Sequence, residues 1–129
     1  MLDNQGQAAT QTQLLAAVSA ANTAAATSGW IDVRAYEGDL VFNVNTGIVT
    51  AGDIVWTIED ATNGSGAGAA GVTPNEGAFT TVTTANDPMS QKRTINAGAV
   101  RGWVRVVGTI TTGPVLVAAD LLAHPKYTT

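Results

Sequence analysis

The chain has no cysteine and few charged residues. Without cysteine, neither a disulfide framework nor a thiolate metal site can hold the fold. Charged residues make up 12% of the 129 residues, about half of the roughly 25% that a soluble domain carries. Because free domains usually need more surface charge to stay dispersed, we expect partner molecules to cover part of the surface. The alternative is a weakly charged monomer rich in Ala and Thr.

Basic residues are scarce as well. Six of them stand against ten acidic residues, which gives a net charge of −4, and the longest basic run is the pair Lys92-Arg93. This pattern offers no footprint for a phosphate backbone, so we expect no nucleic-acid partner. The N-terminus also lacks the basic and apolar regions of a secretion signal. Residues 14–26 are too short for the roughly 20 apolar residues of a membrane span, so we expect no membrane partner.

Patterns that carry catalysis or bind metals are missing too. His124 is the only histidine, and the spacing of the sequence indicates no Ser, Asp or Glu partner for it. Glu59 and Asp60 precede a Gly-rich run without the spacing of a calcium loop, and that run lacks the Lys-Ser/Thr of a phosphate-binding loop. Two adjacent acidic residues are more often a solvated turn. We therefore expect no catalytic residue, no metal and no cofactor, and the protein is not expected to be an enzyme.

The N-terminal segment differs from the rest of the chain. Residues 1–13 are polar and show no periodicity, which predicts an extended arm. Residues 14–26 carry apolar side chains at helical spacing, which predicts a short helix: Leu14, Leu15, Val18, Ala21 and Ala25. Such a helix is marginal alone, so we expect it to pack on its own domain, a sister subunit or another protein. The predicted domains are an N-terminal arm with a short helix, residues 1–28, and a β-sandwich, residues 29–129.

From Trp30 onward the apolar residues recur at every second position. Three early segments show this alternation: Ile31, Val33 and Ala35; Leu40, Phe42 and Val44; and Ile54, Trp56 and Ile58. Residues 45–47 predict a turn and residues 60–77 a long surface loop. Further strand-like segments cover residues 78–84, 92–96, 102–111 and 115–122. A series of short strands without intervening helices predicts an all-β protein, a β-sandwich or barrel.

The three tryptophans differ in their strand context. Trp56 shares a face with Ile54 and Ile58, which favours core packing. Trp30 and Trp103 lie opposite the aliphatic residues of their strands. Large aromatic residues in such positions anchor protein interfaces, and they also stack on sugars. We favour the interface interpretation and keep the carbohydrate one open.

Arg101 and Arg105 flank Trp103 on the same side of one predicted strand. Together the three residues make a stripe of alternating basic and aromatic side chains. Ion pairs with acidic residues of the same chain, such as Asp32 or Glu59, are the simplest explanation for this stripe.

Two stretches resemble small head proteins of tailed bacteriophages. Residues 28–38 (SGWIDVRAYEG) look like the first strand of these proteins, and residues 101–109 (RGWVRVVGT) resemble a late strand. The resemblance covers most of residues 28–122 and consists of strand order and turn placement, without a diagnostic motif. It departs at residues 64–71, a Gly/Ala loop where similar chains often carry more acidic turns. These head proteins include the cement, or decoration, proteins on the outside of icosahedral capsids.

The resemblance implies a jelly-roll-like antiparallel β-sandwich without enzymatic activity. Such a protein binds the outside of a phage capsid and stabilises contacts between major capsid subunits. It implies the major capsid protein as partner and self-association as a homodimer or homotrimer, in a virion protein made in the host cytoplasm. We expect capsid or subunit contacts at Leu2, Leu14, Leu15, Val18, Trp30 and Trp103.

Two other functions stay open from the sequence. A carbohydrate- or receptor-binding β-sandwich of a phage tail or cell surface would bind glycans, and Trp30→Ala or Trp103→Ala would abolish that binding. A head–tail connector or tail-tube component would form rings of high rotational symmetry in electron micrographs, where a cement protein forms a dimer or trimer.

Overall fold

The computed structural model of the protein describes residues 9–126. This part of the chain contains nine β-strands and one 3₁₀ turn, Ala97–Ala99. The strands are β1 (Thr10–Ala20), β2 (Ile31–Asp32), β3 (Tyr36–Val49), β4 (Asp53–Ala61), β5 (Ala70–Val72), β6 (Val82–Thr83), β7 (Met89–Asn96), β8 (Trp103–Ile110) and β9 (Val115–Pro125). The predicted all-β class is confirmed. No helix among these residues has the length and apolar character needed to cross a membrane.

The strands form two antiparallel sheets. The first sheet has the order β1-β9-β3-β7, and the second has the order β2-β8-β4-β5, with β6 also paired to β4. Apart from β5 and β6, each strand lies in the opposite sheet from the strand before it. This alternation is the connectivity of a jelly roll, which confirms the predicted antiparallel β-sandwich.

The core lies between the two sheets and follows the period of two. From β3, Leu40, Phe42 and Val44 point inward with 0% exposure each, and β4 contributes the three inward residues that its alternation predicts, Ile54, Trp56 and Ile58. Burying a side chain of this size contributes about 1.5–3 kcal/mol. The indole N–H of Trp56 donates to the hydroxyl of Thr46 at 2.9 Å. The buried ring therefore leaves no polar atom unsatisfied.

β3 is longer than the sequence predicts. The turn predicted at residues 45–47 is wrong, since β3 continues through these residues and pairs Thr46 with Val117 of β9 and with Met89 of β7. A bulge follows, where the backbone of Gly47 lies against Leu116. A Cβ atom on Gly47 would lie 2.9 Å from that of Leu116. Close approach between two strands, and not a change of direction, therefore explains this glycine.

The predicted helix over residues 14–26 is wrong for its first half, because residues 14–20 belong to β1, which pairs antiparallel with β9. Leu14 and Ala20 point into the core with 7% and 0% exposure. Two register shifts between Gln13 and Val18 interrupt the alternation of β1. With these irregularities, the apolar residues of β1 recur at the spacing expected for a helix. Hydrogen bonding to β9 nevertheless holds the segment in the conformation of a strand. The division at residue 28 stays a prediction, although β1 lies within the first sheet.

The segment after β1 forms turns instead of the second half of the helix. The backbone N–H groups of Ala26 and Thr27 donate to the carbonyls of Thr23 and Ala24 at 3.0 and 3.3 Å. Ala26 is fully buried, and its carbonyl accepts from the backbone N–H of Gly108 on β8 at 3.0 Å. Residues 21–28 therefore carry the chain from the edge of the first sheet to that of the second.

Two further predictions are confirmed in part. The strand predicted from residue 30 is limited to β2, after which Val33 turns into the core with 2% exposure. The loop predicted over residues 60–77 is shortened at its start, since β4 extends to Ala61, and is interrupted by β5. The last strand ends at Pro125.

Candidate functional site

The structure separates the three apolar residues that were predicted to form one contact face. Leu14 belongs to the core, Leu15 is half-buried and packs against the core, and Val18 is 38% exposed. Leu15 and Val18 pair with the buried residues Ala119 and Val117, so the three residues differ in burial because β1 is an irregular edge strand. Leu2, the remaining contact residue predicted in this part of the chain, lies outside the described residues.

Trp30 and Trp103 both lie at the outer side of the second sheet and are half-buried. Trp103 begins β8, and the alternation of this strand sends Trp103 and Arg105 outward while Val104 and Val106 are buried with 0% exposure. Trp30 precedes β2 at the edge of the same sheet, beside Arg105. The two predicted anchors therefore belong to one surface region.

Each of these tryptophans has an arginine over its ring. The guanidinium carbon of Arg105 lies 4.5 Å from the ring centroid of Trp30, and that of Arg34 lies 5.6 Å from the centroid of Trp103. A cation over an aromatic face contributes about 0.5–1 kcal/mol at an exposed site. We call the surface formed by Trp30, Trp103 and their arginines, together with Arg101, the Trp/Arg platform.

Acidic residues of the same chain hold these arginines in place. Arg105 and Glu59 form an ion pair with a 2.7 Å separation, and Arg34 and Asp32 form another at 2.7 Å. The sequence predicted this type of pairing, and the Arg105–Glu59 pair confirms it. The sequence did not predict the acidic partner of Arg101, which is Asp60 in the structure.

Asp60 is the most buried of these three acidic residues. Its side chain is 8% exposed and accepts from Arg101 through the backbone N–H at 3.1 Å, Nε at 3.2 Å and Nη2 at 2.8 Å. These hydrogen bonds hold the pKa of Asp60 below its usual range. The side-chain hydrogen bond from Arg34 likewise lowers the pKa of Asp32 to about 2. Both carboxylates thus stay ionised near neutral pH.

A Gly-rich loop covers the platform. A Cβ atom on Gly66 would lie 2.7 Å from Nε1 of Trp30, and one on Gly64 would lie 3.0 Å from the ring of Trp103. The side chain of Asn63 accepts from the backbone N–H groups of residues 65 and 67, and the carbonyl of Gly68 accepts from Arg101 at 2.7 Å. Sequence reasoning missed this role of the loop, because the glycines gave no indication of which aromatic rings they approach.

The outer face of the first sheet has a different chemistry. The strand register places Gln13, Asp120, Asn43 and Lys92 side by side across all four strands. Asp120 accepts from the Gln11 amide through Oδ2 at 2.6 Å, while its Oδ1 is buried and has no partner among residues 9–126. Most of this face therefore presents small or uncharged polar side chains.

One end of this face is apolar. Ile48 and Leu116 lie there with exposures of 57% and 58%. Val18, the third large hydrophobic residue exposed within residues 9–126 at 38%, pairs with the buried Val117 and lies at the edge of the sheet. Leu116 and Ile48 flank the bulge of β3, next to Gly47. An exposed apolar end on a weakly charged sheet face is a surface that suits contact with another protein.

A pocket lies at the side of the sandwich. It has a volume of about 310 Å³ and is lined mainly by apolar side chains, among them Ile58, Val72, Pro74 and Phe79. Arg93 lies with its guanidinium carbon 5.2 Å from the ring centroid of Phe79.

His124 is half-buried on β9 and pairs in register with Glu37 of β3. Within residues 9–126, His, Asp and Glu side chains form no group of three that could hold a metal ion. Among the described residues, polar side chains thus come together at two places. One is the Trp/Arg platform, with its ion pairs and aromatic contacts, and the other is the polar row across the first sheet.

Comparison with known proteins gives no family for this chain. No family model matches it, and no curated protein matches it. Among solved structures it is similar to the SPBc2 prophage-derived protein YomS, with 14% identity and a TM-score of 0.47 over 88% of this chain and 92% of that one. It is also similar to a chain from the disulfide-linked pili of Bacillus endospore appendages, with 14% identity and a TM-score of 0.43 over 97% and 96%.

The coat protein of Tobacco streak virus is a third similar structure, with 10% identity and a TM-score of 0.37 over 100% of this chain and 92% of that one. At these identities and TM-scores the similarities carry no inference about function.

Proposed function

We propose that the chain is a structural virion protein that binds the outside of a phage capsid and stabilises contacts between major capsid subunits. The observation that carries this proposal is the outer face of the first sheet, which joins a largely uncharged surface to the exposed apolar residues Ile48 and Leu116. Docking this face on another protein removes apolar surface from water and desolvates few charges.

The body of the sandwich suits a fastening role. Both sheets contribute to one continuous core, and the platform fixes the longest Gly-rich loop by contacts within the chain. Such a body holds its shape without cysteine, as a protein made in the host cytoplasm must. Repetition on a symmetric shell raises the affinity, because copies that are linked to each other bind several sites at once. We therefore include self-association, as a dimer or trimer, in the proposal.

The predicted contact residues contribute unequally to this proposal. Leu14 stabilises the sandwich from inside, Leu15 is partly covered, and Val18 lies at the edge of the first sheet, where we propose a contact with a second subunit. Trp30 and Trp103 support the rigid platform and offer only their uncovered edges to a partner. Leu2 remains a proposed contact.

Co-sedimentation tests capsid binding. Purified empty heads of the phage that carries this gene, prepared without the protein, are mixed with wild-type protein or with Leu116→Lys. We expect the wild type to sediment with the heads and Leu116→Lys to stay in the supernatant, because the substitution places a charge in the apolar end of the face. Ala69→Lys adds the same charge at an exposed position of the loop between β4 and β5, in the second sheet, and it should bind like the wild type.

Two results would contradict the proposal. Wild-type protein that stays in the supernatant at all head concentrations excludes capsid binding. Equal sedimentation of the wild type and Leu116→Lys excludes the outer face of the first sheet as the contact. Matching circular dichroism spectra and thermal midpoints for all three proteins exclude misfolding as the cause of any loss.

The alternative of carbohydrate binding gains no support from the geometry. A sugar that stacks on tryptophan needs a free ring face, but Arg105 lies over one face of Trp30 and the backbone of Gly66 lies against the Nε1 edge. A glycan array screened with the wild-type protein tests this alternative, since specific binding that Trp30→Ala abolishes would favour it over capsid binding.

A further inference from the structure

The two long edges of the first sheet are treated differently by the fold. At β7 the edge is blocked by the preceding loop: Gln91 accepts from the backbone N–H of Thr80 at 2.7 Å and donates to its carbonyl at 3.0 Å. The carboxylate of Glu76 accepts from the backbone N–H of Thr94 at 2.8 Å, and the carbonyl of Thr94 accepts from Asn75 at 2.8 Å. Side chains and loop thus satisfy backbone groups that would otherwise face water.

The opposite edge, β1, has no such cover within residues 9–126. It is the terminal strand of the sheet order, and none of the side chains and loops in this range forms a hydrogen bond with its backbone on the outer side. Its eleven residues, TQTQLLAAVSA, include no charged residue and no proline. Natural proteins usually protect a long edge strand with Lys, Pro or a covering segment, because its free N–H and C=O groups are a template for another strand. Within residues 9–126, the two register shifts are the only such protection that this edge has.

Val18 gives this edge an apolar contact point. It is 38% exposed and is absent from the residues that pack against the core. Its neighbours Ala16, Ala17 and Ser19 are small and exposed. The stretch Val18–Ala20 resumes regular pairing with β9 after the second register shift, so its outer backbone groups have the geometry that a further strand requires.

We propose that β1 pairs antiparallel with β1 of a second copy around a twofold axis, and that the two four-stranded sheets become one eight-stranded sheet across the dimer. This inference specifies the self-association included in the proposed function and does not require capsid binding. The pairing brings the Val18 side chains of both copies together at the margin of the sandwich.

The lack of charge on β1 favours a second copy of the chain as the strand that pairs with it. In a twofold antiparallel pairing residue i of one copy faces residue j of the other, and only a residue on the axis faces its own copy. Like charges directly opposite each other weaken such a pairing. An edge that has no charge over eleven residues avoids this repulsion completely. A charged partner strand would instead find no complementary residue on β1. In the dimer, contact between the two Val18 side chains removes apolar surface from water and adds to the backbone hydrogen bonds. In the monomer this surface stays exposed to water.

Sedimentation equilibrium of the purified full chain tests the pairing with a matched pair of variants. The wild type should show a mass twice that of the 13.1 kDa chain. Val18→Lys should weaken the dimer by about tenfold or more, which corresponds to about 1.4 kcal/mol, because two ammonium groups then meet at the axis. Ile48→Lys makes the same change at an exposed aliphatic residue of β3 that does not belong to the edge, and it should keep the wild-type mass.

Hydrogen exchange locates the contact. Amides of residues 10–20 should exchange more slowly as the wild-type concentration rises, and this dependence should vanish in Val18→Lys. A wild-type monomer at all concentrations would overturn the inference, as would a dimer that Val18→Lys leaves intact or that Ile48→Lys disrupts instead. Capsid co-sedimentation of Val18→Lys separates the two proposals, since a monomer that still binds heads retains the proposed function, and a dimer that never binds heads retains only the pairing.

Discussion

Trp30 and Trp103 show how much the partners of a residue decide its role. Both are large aromatic residues on the outer side of a sheet, a position that favours an interface anchor. In the structure, however, Arg105 and Arg34 lie over the two rings, and the Gly-rich loop lies against them. Their contribution is therefore mainly to the rigidity of the platform.

Gly66 provides a test of this contact. Its φ of +82° lies in the left-handed region, and a Cβ atom there would lie 2.7 Å from Nε1 of Trp30. Since a left-handed conformation costs an L-residue roughly 1–2 kcal/mol, Gly66→Ala should lower the free energy of unfolding by at least about 1–2 kcal/mol in denaturant titrations. It should also alter the tryptophan fluorescence.

Gly38→Ala is the control for this substitution, because Gly38 also has a left-handed φ, +72°, while a Cβ atom there meets nothing within 4 Å. It should lose only the cost of the left-handed conformation, about 1–2 kcal/mol, and Gly66→Ala should lose more. If Gly66→Ala were as stable as Gly38→Ala, the loop would not be packed on Trp30.

At the scale of elements, β1 is the segment whose assignment changes the interpretation of the protein. As a helix it would be an appendage that depends on neighbours. As a strand it pairs with β9 along eleven residues and supplies Leu14 and Ala20 to the core. The same strand thus stabilises its own domain and, within residues 9–126, leaves the backbone of its outer edge without a hydrogen-bond partner.

Deletion of residues 1–28 tests the domain division. This deletion removes Leu14, Ala20 and Ala26 from the core and exposes the edge of β9. Because the loss of a single buried Leu side chain to Ala already costs about 2–5 kcal/mol, we expect the remaining chain to lose its cooperative thermal transition.

Deletion of residues 1–8 keeps every described strand and serves as the control, with a cooperative transition expected in differential scanning calorimetry. A chain of residues 29–129 that unfolds at the wild-type temperature would instead establish the sandwich as a unit independent of the N-terminal segment.

At the scale of the whole molecule, a low number of charges is combined with carboxylates that are individually well partnered. Hydrogen bonds from Arg34 and Arg101 lower the pKa values of Asp32 and Asp60. The backbone and hydroxyl of Thr94 lower that of Glu76. Each of these groups binds its proton more weakly in the folded state than in the unfolded state, so acid favours unfolding.

The expected pH dependence follows from the sign of these shifts. The stabilisation is complete above the ordinary pKa values of 3.8 for Asp and 4.5 for Glu, and it is lost as the pH falls below them toward the folded-state values, about 2 for Asp32. Urea unfolding at several pH values between 7 and 2 should show a plateau followed by this decline. Asp60→Asn should reduce the slope of the decline, and an unchanged slope would contradict the role of the Arg101 contacts.

Much of the sandwich could be predicted from the sequence, because the period of two is a local property. The inward residues of β3 and β4 are legible from alternation alone, and they form the core as predicted. The turn predicted at residues 45–47 failed because glycine serves both turns and close strand contacts. Sequence alone does not distinguish these uses, since the atom that Gly47 approaches belongs to Leu116 on a distant strand.

By itself, the sequence determined the all-β class, most inward-facing residues, the lack of disulfides and the weak surface charge, since all of these depend on composition or on neighbours along the chain. Only the tertiary structure decided that residues 10–20 form a strand, that Arg101 pairs with Asp60, and that Gly66 lies on Trp30. These contacts join residues far apart in sequence. The energy of each contact depends on packing and hydrogen bonds with a residue distant in the chain, so the local spacing of apolar residues gives no information about it.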